Sequence, residues 1–193
     1  MGTKAVNALS SYFKIQSIRD GQLKAARFER GILLEDEKLV ETSEQRGTAI
    51  WFYPDEEIFG NYKFIHEYVE KMLWNYAYLN TGLSIWYNGK LFQSEGGLAD
   101  LLQQNTNGES LYPLIHLKGE DIEIALSHGQ QYSEEYYTFV NGQHTTQGGT
   151  HQGALREALV KVLREFYKKD YEANDIRQGI IAAISIKVIE PVF

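Results

Sequence analysis

Cysteine is absent from the 193 residues of this chain. Its absence excludes a disulfide framework, a thiolate metal site and a cysteine nucleophile. No apolar run approaches the roughly 20 residues that a membrane-spanning helix needs, and the first residues lack the long apolar segment of a signal peptide. We therefore expect a soluble, cytoplasmic protein with no membrane partner.

Positive charge is also scarce, since 19 lysine and arginine residues stand against 26 aspartate and glutamate residues, for a net charge of −7. This balance argues against a module that coats nucleic acid with a basic surface, although it leaves room for a local basic patch. The five histidines form no cluster with the spacing of metal ligands, so we predict no metal site here. The motifs of serine hydrolases, zinc proteases and P-loop ATPases are missing, and we predict no catalytic residue. Acidic pairs such as Glu134-Glu135 are interpreted as solvated surface residues.

The rest of the chain is organised around residues 138–169, which read TFVNGQHTTQGGTHQGALREALVKVLREFYKK. An extended segment leads into a polar loop with the pair Gly148-Gly149, and a long helix follows. We predict that Thr150 caps this helix, because a threonine side chain can accept a hydrogen bond from an amide of the first turn. The apolar positions recur with helical spacing and predict one buried stripe. They are Leu155, Ala158, Leu159, Val162, Leu163, Phe166 and Tyr167.

Alternating apolar residues and turn signals such as Asp20-Gly21 predict a meander of antiparallel strands in residues 12–53. Residues 61–78 predict a second long helix with an aromatic-rich stripe that we interpret as core. The stripe consists of Phe64, Ile65, Tyr68, Val69, Met72, Leu73 and Tyr76. A hairpin at Asn88-Gly89, a short helix at Leu98 and further strands follow. Residues 180–188 are the most apolar run and predict a buried central strand.

Several segments resemble a known family, the ATPase subunits of type IIA DNA topoisomerases, which are the B subunits of gyrase and topoisomerase IV. FVN and GGTHQGALREAL look like the transducer domain of that family, and DIRQGIIAAISIKVIEPVF follows its pattern almost throughout. RFERG and GTAIWFYPDEEIF resemble the ATPase domain near its C-terminal end. The resemblance implies an α+β fold in two parts. Residues 1–90 would form the C-terminal portion of a GHKL-type ATPase α/β sandwich. Residues 91–193 would form a transducer domain resembling domain 2 of ribosomal protein S5, truncated before a Gln-Thr-Lys loop.

The resemblance also implies residues that contact ATP. Gly2 and Thr3 fall on the end of the family's glycine-rich lid, which holds the nucleotide phosphates, and Thr48 matches a threonine that lines the adenine pocket. The residues alone support a plainer interpretation, in which the first segment is a short frayed helix and Thr48 is a threonine at a strand start. The functional carboxylate, the magnesium-binding asparagine and the adenine-binding aspartate of the family would precede residue 1. We therefore expect ATP and Mg²⁺ in the full-length subunit, none bound to this fragment, and no activity from the fragment alone.

Four basic residues of the long helix are candidates for DNA contacts, because the inner surface of the family's transducer lines a cavity that admits DNA. They are Lys161, Arg164, Lys168 and Lys169. A solvated helix face is the alternative interpretation of these residues. The resemblance further implies the A subunit as a partner, a homodimer formed through the ATPase domain, and a role in relaying ATP binding and hydrolysis to DNA strand passage.

Two further alternatives concern identity. Gly142 and Gln152 stand where the family more commonly has an asparagine and an acidic residue, and overall likeness favours topoisomerase IV over gyrase. The chain could instead be a stand-alone S5-like module that binds nucleic acid or serves as a scaffold without catalysis. A pI near 5.3 and a lack of interleaved aromatic and basic residues argue against RNA binding.

Overall fold

The computed structural model describes residues 2–106 and 110–191. These residues form two compact units, which we call the first unit (Met1–Ile65) and the second unit (His66–Phe193). The boundary near residue 90 between an ATPase portion and a transducer domain stays a prediction. Both helices and sheets are present in each unit, as the α+β assignment requires.

The first unit is an antiparallel meander with short helices at its two ends. Its strands lie in the order β3-β2-β1-β5, with β4 also paired to β2, so that β5 is an edge strand. The meander predicted for residues 12–53 is confirmed. Its elements are α1 (Gly2–Ala8), β1 (Ser10–Arg19), β2 (Gln22–Glu29), β3 (Ile32–Asp36), β4 (Val40–Glu41), β5 (Gly47–Pro54) and α2 (Glu56–Phe59).

The second unit is built on a five-stranded mixed sheet in the order β11-β10-β12-β9-β8, with a separate hairpin of β6 and β7. Strands β10 and β12 are parallel, and α5 and α6 lie between them in the chain. The elements are α3 (His66–Leu79), β6 (Ile85–Tyr87), β7 (Lys90–Phe92), α4 (Leu98–Asn105), β8 (Ile115–Lys118), β9 (Ile122–His128), β10 (Glu135–Val140), β11 (Gln143–His144), α5 (Thr150–Tyr167), α6 (Ala173–Arg177) and β12 (Ile180–Ile186).

Strand β12 is the centre of this core, as its apolar sequence predicts. Ile181 and Ala183 pack on one face of the sheet with Leu98, Leu101 and Leu102 of α4. The alternate residues Ile180, Ala182 and Ile184 pack on the other face with Leu155 of α5. Because successive side chains of a strand point to opposite faces, a strand covered on both faces has an unbroken apolar sequence.

The prediction for α3 is wrong in two respects. The helix begins at His66, which leaves Phe64 and Ile65 outside it. Five of the seven residues of the predicted core stripe are exposed, with 63% of Tyr68 and 56% of Met72 accessible, and the other two are half-buried. Instead, Tyr78 is buried, and Trp74 stacks on it with the ring centroids 5.3 Å apart. The same helix carries two apolar stripes, so the 3.6-residue period did not reveal which one faces the core.

The prediction for α5 also needs two corrections. Thr150 is the first helical residue rather than the cap, which is Gly149, and no side chain caps the helix. The buried residues His151, Leu155 and Val160 all precede Lys161, whereas Val162, Phe166 and Tyr167 are exposed. Only the first part of the helix therefore packs on the sheet, and the regular spacing of its apolar residues overstated the length of the buried stripe.

Candidate functional site

The first candidate residues, Gly2 and Thr3, open helix α1 and are both exposed. The helix has seven residues, none of them buried. It is closed at its other end, where the Leu9 amide donates to the Ala5 carbonyl at 3.0 Å and the buried Ser10 hydroxyl donates to the Val6 carbonyl at 2.5 Å. The first turn of α1 is thus accessible, while its last turn is fixed to the start of β1.

Thr48, the third candidate, lies on β5 opposite Ser17 and is exposed. The same pair of strands runs from Ser17 and Thr48 to Ser10 and Pro54, where α1 joins β1. Seven residues of strand separate the two ends, which is about 20 Å at the usual rise of a strand. Thr48 and the C-terminal end of α1, which we call its root, therefore lie at opposite ends of the β1–β5 ladder.

The four basic candidates at the C-terminal end of α5 differ in whether their side chains already have partners within the chain. Arg164 is engaged within the chain, because its Nε donates to the Tyr171 carbonyl at 2.8 Å and lies 3.1 Å from an Asp170 carboxylate oxygen. Lys161 lies 4.0 Å from Glu165 in an exposed pair. Lys168, which ends the helix in a left-handed conformation, and Lys169 are exposed. Of the four, these last two are the better placed for an external phosphate.

Aromatic residues interleave with this basic segment, contrary to the expectation from sequence. Phe166 and Tyr167 are exposed and meet edge to face at 5.0 Å, and Tyr167 contacts Tyr171 at 6.2 Å. The Lys169 ammonium lies 6.0 Å from the centre of the Tyr171 ring. The acidic residues Glu165 and Asp170 lie in the same stretch, so the surface is mixed rather than strongly basic.

The loop before α5 is ordered by its threonines. The Thr145 amide donates to the Thr138 carbonyl at 2.8 Å, and the two hydroxyls lie 2.6 Å apart. Gly149 has a positive φ of 154°, and a β-carbon there would lie 2.9 Å from the His151 ring, so glycine is required at this position. Burial lowers the pKa of His151, whose Nε2 lies 3.4 Å from the Thr145 hydroxyl. A cavity of about 800 Å³ borders this loop, lined also by Val140 and Ile186.

Glu134 ties α5 and α6 to the sheet, a role that the sequence did not indicate. Its carboxylate accepts two hydrogen bonds from Arg156 at 2.9 Å, one from Arg177 at 3.1 Å and one from the Tyr136 hydroxyl at 2.8 Å. Burial alone would raise the pKa of Glu134, but these hydrogen bonds outweigh burial and hold the pKa below its usual value. The interpretation of Glu134 as a solvated surface acid is therefore wrong. Its two arginine partners lie 22 and 43 residues away, and nothing local in the sequence signals them.

Within residues 2–106 and 110–191, no three histidine, aspartate or glutamate side chains come together in a way that could hold a metal ion. In the same part of the chain, no helix combines the length and the apolar character needed to cross a membrane. The candidate site residues offer hydroxyl, amide and basic groups, which suit contacts with phosphates and polar ligands.

The family model for DNA gyrase B matches residues 65–193. The chain belongs to the DNA gyrase B family. Over its whole length it is 42% identical to the B subunit of DNA topoisomerase 4 from Borreliella burgdorferi and 32% identical to the B subunit of DNA gyrase from Thermotoga maritima. It covers 32% and 35% of these two proteins, so it spans about a third of the length of the curated relatives it matches.

Solved structures agree with this assignment to the gyrase B family. The 43K ATPase domain of Thermus thermophilus gyrase B superposes with a TM-score of 0.82 at 29% identity, over all of this chain and 59% of that one. The topoisomerase IV ATP-binding domain of Francisella tularensis has a TM-score of 0.77 over 97% of this chain and 57% of that one, and at 24% identity it shows the fold alone. The resemblance to this family and the α+β fold class of GHKL ATPases are confirmed. The roles of Gly2, Thr3, Thr48 and the basic residues of α5 stay predictions.

Proposed function

We propose that this chain is part of the ATP-hydrolysing subunit of a bacterial type IIA DNA topoisomerase and relays ATP binding and hydrolysis to DNA strand passage. The observation that carries the proposal is the match of the gyrase B family over residues 65–193, supported by similarity to B subunits along the whole chain. Membership of this family favours this function over a stand-alone S5-like module.

ATP would contact the first unit at two places. Gly2 and Thr3 would meet its phosphates through the exposed first turn of α1, since the amides at a helix start are unpaired and can bind anions. Thr48 would meet the adenine through its exposed hydroxyl on β5. A nucleotide has its base and its terminal phosphate at opposite ends, which suits contacts from different elements. We expect ATP and Mg²⁺ to bind the intact subunit and not this chain alone.

DNA would contact the second unit at the C-terminal end of α5. Lys168 and Lys169 would make the main phosphate contacts, because Arg164 and Lys161 already have acidic neighbours. The further partners would be the A subunit and a second copy of the intact subunit, joined through the ATPase domain, and the protein would act in the cytoplasm. We favour topoisomerase IV over gyrase, because the identity is 42% to a B subunit of topoisomerase 4 and 32% to a B subunit of gyrase.

The test compares this chain with the intact subunit. We expect ATP binding and hydrolysis from the intact subunit and neither from the 193 residues. With the A subunit, the intact subunit should decatenate linked DNA circles in an ATP-dependent reaction and introduce no negative supercoils. Hydrolysis by the chain alone, or an intact subunit that never hydrolyses ATP, would contradict the proposal. Negative supercoiling would assign the protein to gyrase.

A variant tests the adenine contact within the intact subunit. Thr48→Val keeps the shape of the side chain but removes its hydroxyl, so we expect weaker ATP binding. Ser17→Ala, which removes the hydroxyl directly opposite on β1, is the matched control and should bind ATP normally. Equal affinities in the two variants would exclude Thr48 from the site.

A further inference from the structure

The junction between α1 and β1 is held by two residues that are distant in the sequence, Arg30 and Asp55. The Arg30 amide donates to the Ser10 carbonyl at 2.8 Å, and the Asp55 amide donates to the Leu9 carbonyl at 3.0 Å. These carbonyls are consecutive and follow directly after the last residue of α1. The turn between β2 and β3 and the end of β5 thus meet at the root of the helix.

The side chains of the same two residues form an ion pair. The Arg30 Nε lies 2.5 Å from Asp55 Oδ2, and its Nη2 lies 3.2 Å from Oδ1, which is a two-point contact. Asp55 is only 2% exposed, and its Oδ1 also accepts the Glu57 amide at 3.0 Å as the cap of α2. Hydrogen bonding to Arg30 holds the pKa of Asp55 below its usual value. A buried carboxylate without its partner is destabilising, so the pair is sensitive to change on either side.

The backbone at this point is specialised for the contact. Arg30 has a φ of 49°, which is uncommon for a residue other than glycine, and Gly31 follows with a φ of 81°. A β-carbon on Gly31 would lie 3.5 Å from the Ala8 Cα, so the turn abuts the last residue of α1. The left-handed conformation of Arg30 places its amide and its side chain on the same junction.

We propose that Arg30 and Asp55 are positioning residues that fix the root of α1 and thereby set where its first turn, with Gly2 and Thr3, stands relative to the sheet of the first unit. The effect on ATP rests on the function proposed above. No residue of α1 is fully buried, and only Val6 and Asn7 are half-buried, so packing on the sheet orients the helix weakly. A helix of this length spans about 10 Å, and a tilt of about 20° at its root would displace the first turn by about 3 Å. A displacement of that size breaks a hydrogen bond to a bound phosphate.

Hydrogen exchange of the 193-residue chain tests the anchor without any nucleotide. We expect faster exchange of the hydrogen-bonded amides of residues 5–9 in Arg30→Gln and in Asp55→Asn, with little change in β9 and β12. The double variant should be no faster than Arg30→Gln, because Arg30→Gln already removes the ion pair with Asp55 as well as the contact of Arg30 with Glu57 at 2.8 Å. Arg30→Lys keeps the charge but not the two-point contact and should be intermediate.

The matched control for the anchor is Arg27→Gln. Arg27 lies on β2 of the same hairpin, and its side chain pairs at 2.6 Å with Glu35 of β3 rather than with Asp55. Exchange in residues 5–9 that rises equally in Arg27→Gln would overturn the anchor. If Asp55→Asn also speeds exchange of the amides of β1 and β2, that variant has opened the sheet and does not test the anchor. Arg30→Gln then decides whether the anchor exists, because the Arg30 side chain is 43% exposed and its loss should leave the sheet closed.

The second measurement is the ATP dependence of the intact subunit. A displaced first turn should lower kcat/KM for ATP by about tenfold in Arg30→Gln, mainly through KM, while Arg27→Gln stays close to wild type. Normal ATP kinetics in Arg30→Gln would overturn the positioning role. A wild-type subunit that binds no ATP would instead refute the proposed function, and the hydrogen-exchange result would still decide whether the anchor exists.

Discussion

Strands β5 and β12 are both apolar and of similar length, but their surroundings differ. The side chains of β12 are covered on both faces of its sheet, by α4 on one and α5 on the other. On β5, the four residues Ile50, Trp51, Phe52 and Tyr53 are all exposed by between 38% and 66%. A run of apolar residues therefore indicates a strand in both places, but it does not indicate how much of that strand is buried.

The difference follows from the helices that each unit supplies. The second unit contributes α4 and α5, with eight and eighteen residues, and each has three buried residues. The first unit has α1 and α2, with seven and four residues, and neither has a buried residue. Burial of apolar area is the main favourable term in folding, so most of the stability of this chain should come from the second unit.

Truncating matched phenylalanines should have the largest effect. Phe139 of β10 is 1% exposed in the main core cluster, whereas Phe52 of β5 is 38% exposed. We expect Phe139→Ala to lower the free energy of unfolding of the second unit by about 3–5 kcal/mol, because it leaves a cavity. Phe52→Ala should cost the first unit about 1 kcal/mol or less.

Urea-dependent hydrogen exchange measures both variants, because it reports the opening of each unit separately. Similar decreases in stability in the two variants would mean that Phe52 is as well packed as Phe139. The comparison between the units would then fail.

Acid should destabilise the two units in different pH ranges. All five histidines lie in the second unit, and burial lowers the pKa of His151 and, with the nearby Lys71 charge, that of His144. The unfolded chain then binds more protons, so stability falls as the pH drops through the ordinary histidine pKa of about 6.5. In the first unit, a hydrogen bond from Arg30 lowers the pKa of Asp55. The stability that ionised Asp55 contributes to this unit is therefore lost only as the pH falls below the ordinary carboxyl pKa of about 4.

Thermal unfolding followed by tryptophan fluorescence can separate these ranges. Trp51→Phe leaves only tryptophans of the second unit, and its midpoint should fall between pH 7 and pH 5. His151→Phe should flatten that dependence, because it removes a buried imidazole whose pKa is lowered. A second unit whose midpoint is constant over this range would show that neither His144 nor His151 opposes protonation.

Binding to duplex DNA should distinguish the basic residues by a smaller effect. Replacing Lys168 and Lys169 together by glutamine should reduce the slope of log affinity against log salt by about two, one for each phosphate that the variant no longer neutralises. Arg164→Gln should change the slope less, because its guanidinium is held by Asp170 and Tyr171. Lys38→Gln in the first unit is the control for loss of charge. A double variant with the wild-type slope would remove the end of α5 from the DNA contacts.

The smallest expected change in stability comes from the edge of the first sheet. Tyr53 is 66% exposed on edge strand β5, so Tyr53→Lys should alter the free energy of unfolding by no more than about 0.5 kcal/mol. The added charge should nevertheless reduce self-association at high concentration, because apolar edge strands pair readily with other chains. Light scattering measures this, with Gln130→Lys in the second unit as the control. Equal self-association in the two variants would show that the chain does not associate through edge strand β5.

Prediction from sequence succeeded where the signal was local. The turn at Asn88-Gly89, the leucines of α4 and the apolar run of β12 each identified an element, because turn conformation and side-chain period are properties of neighbouring residues. Prediction failed where partners are far apart in the chain. Glu134 looked like a surface acid, and most of the predicted core stripe on α3 is exposed. The Arg30–Asp55 pair had no sequence signature either.

The sequence by itself determined the order and type of most elements, the absence of disulfides and the family to which the chain is similar. Only the tertiary structure decided which apolar stripes are buried, which charges are paired and where α1 is anchored. The physical reason is that strand alternation, helical spacing and turn chemistry act over a few residues, whereas burial and ion pairing depend on groups brought together from 22 to 43 residues apart.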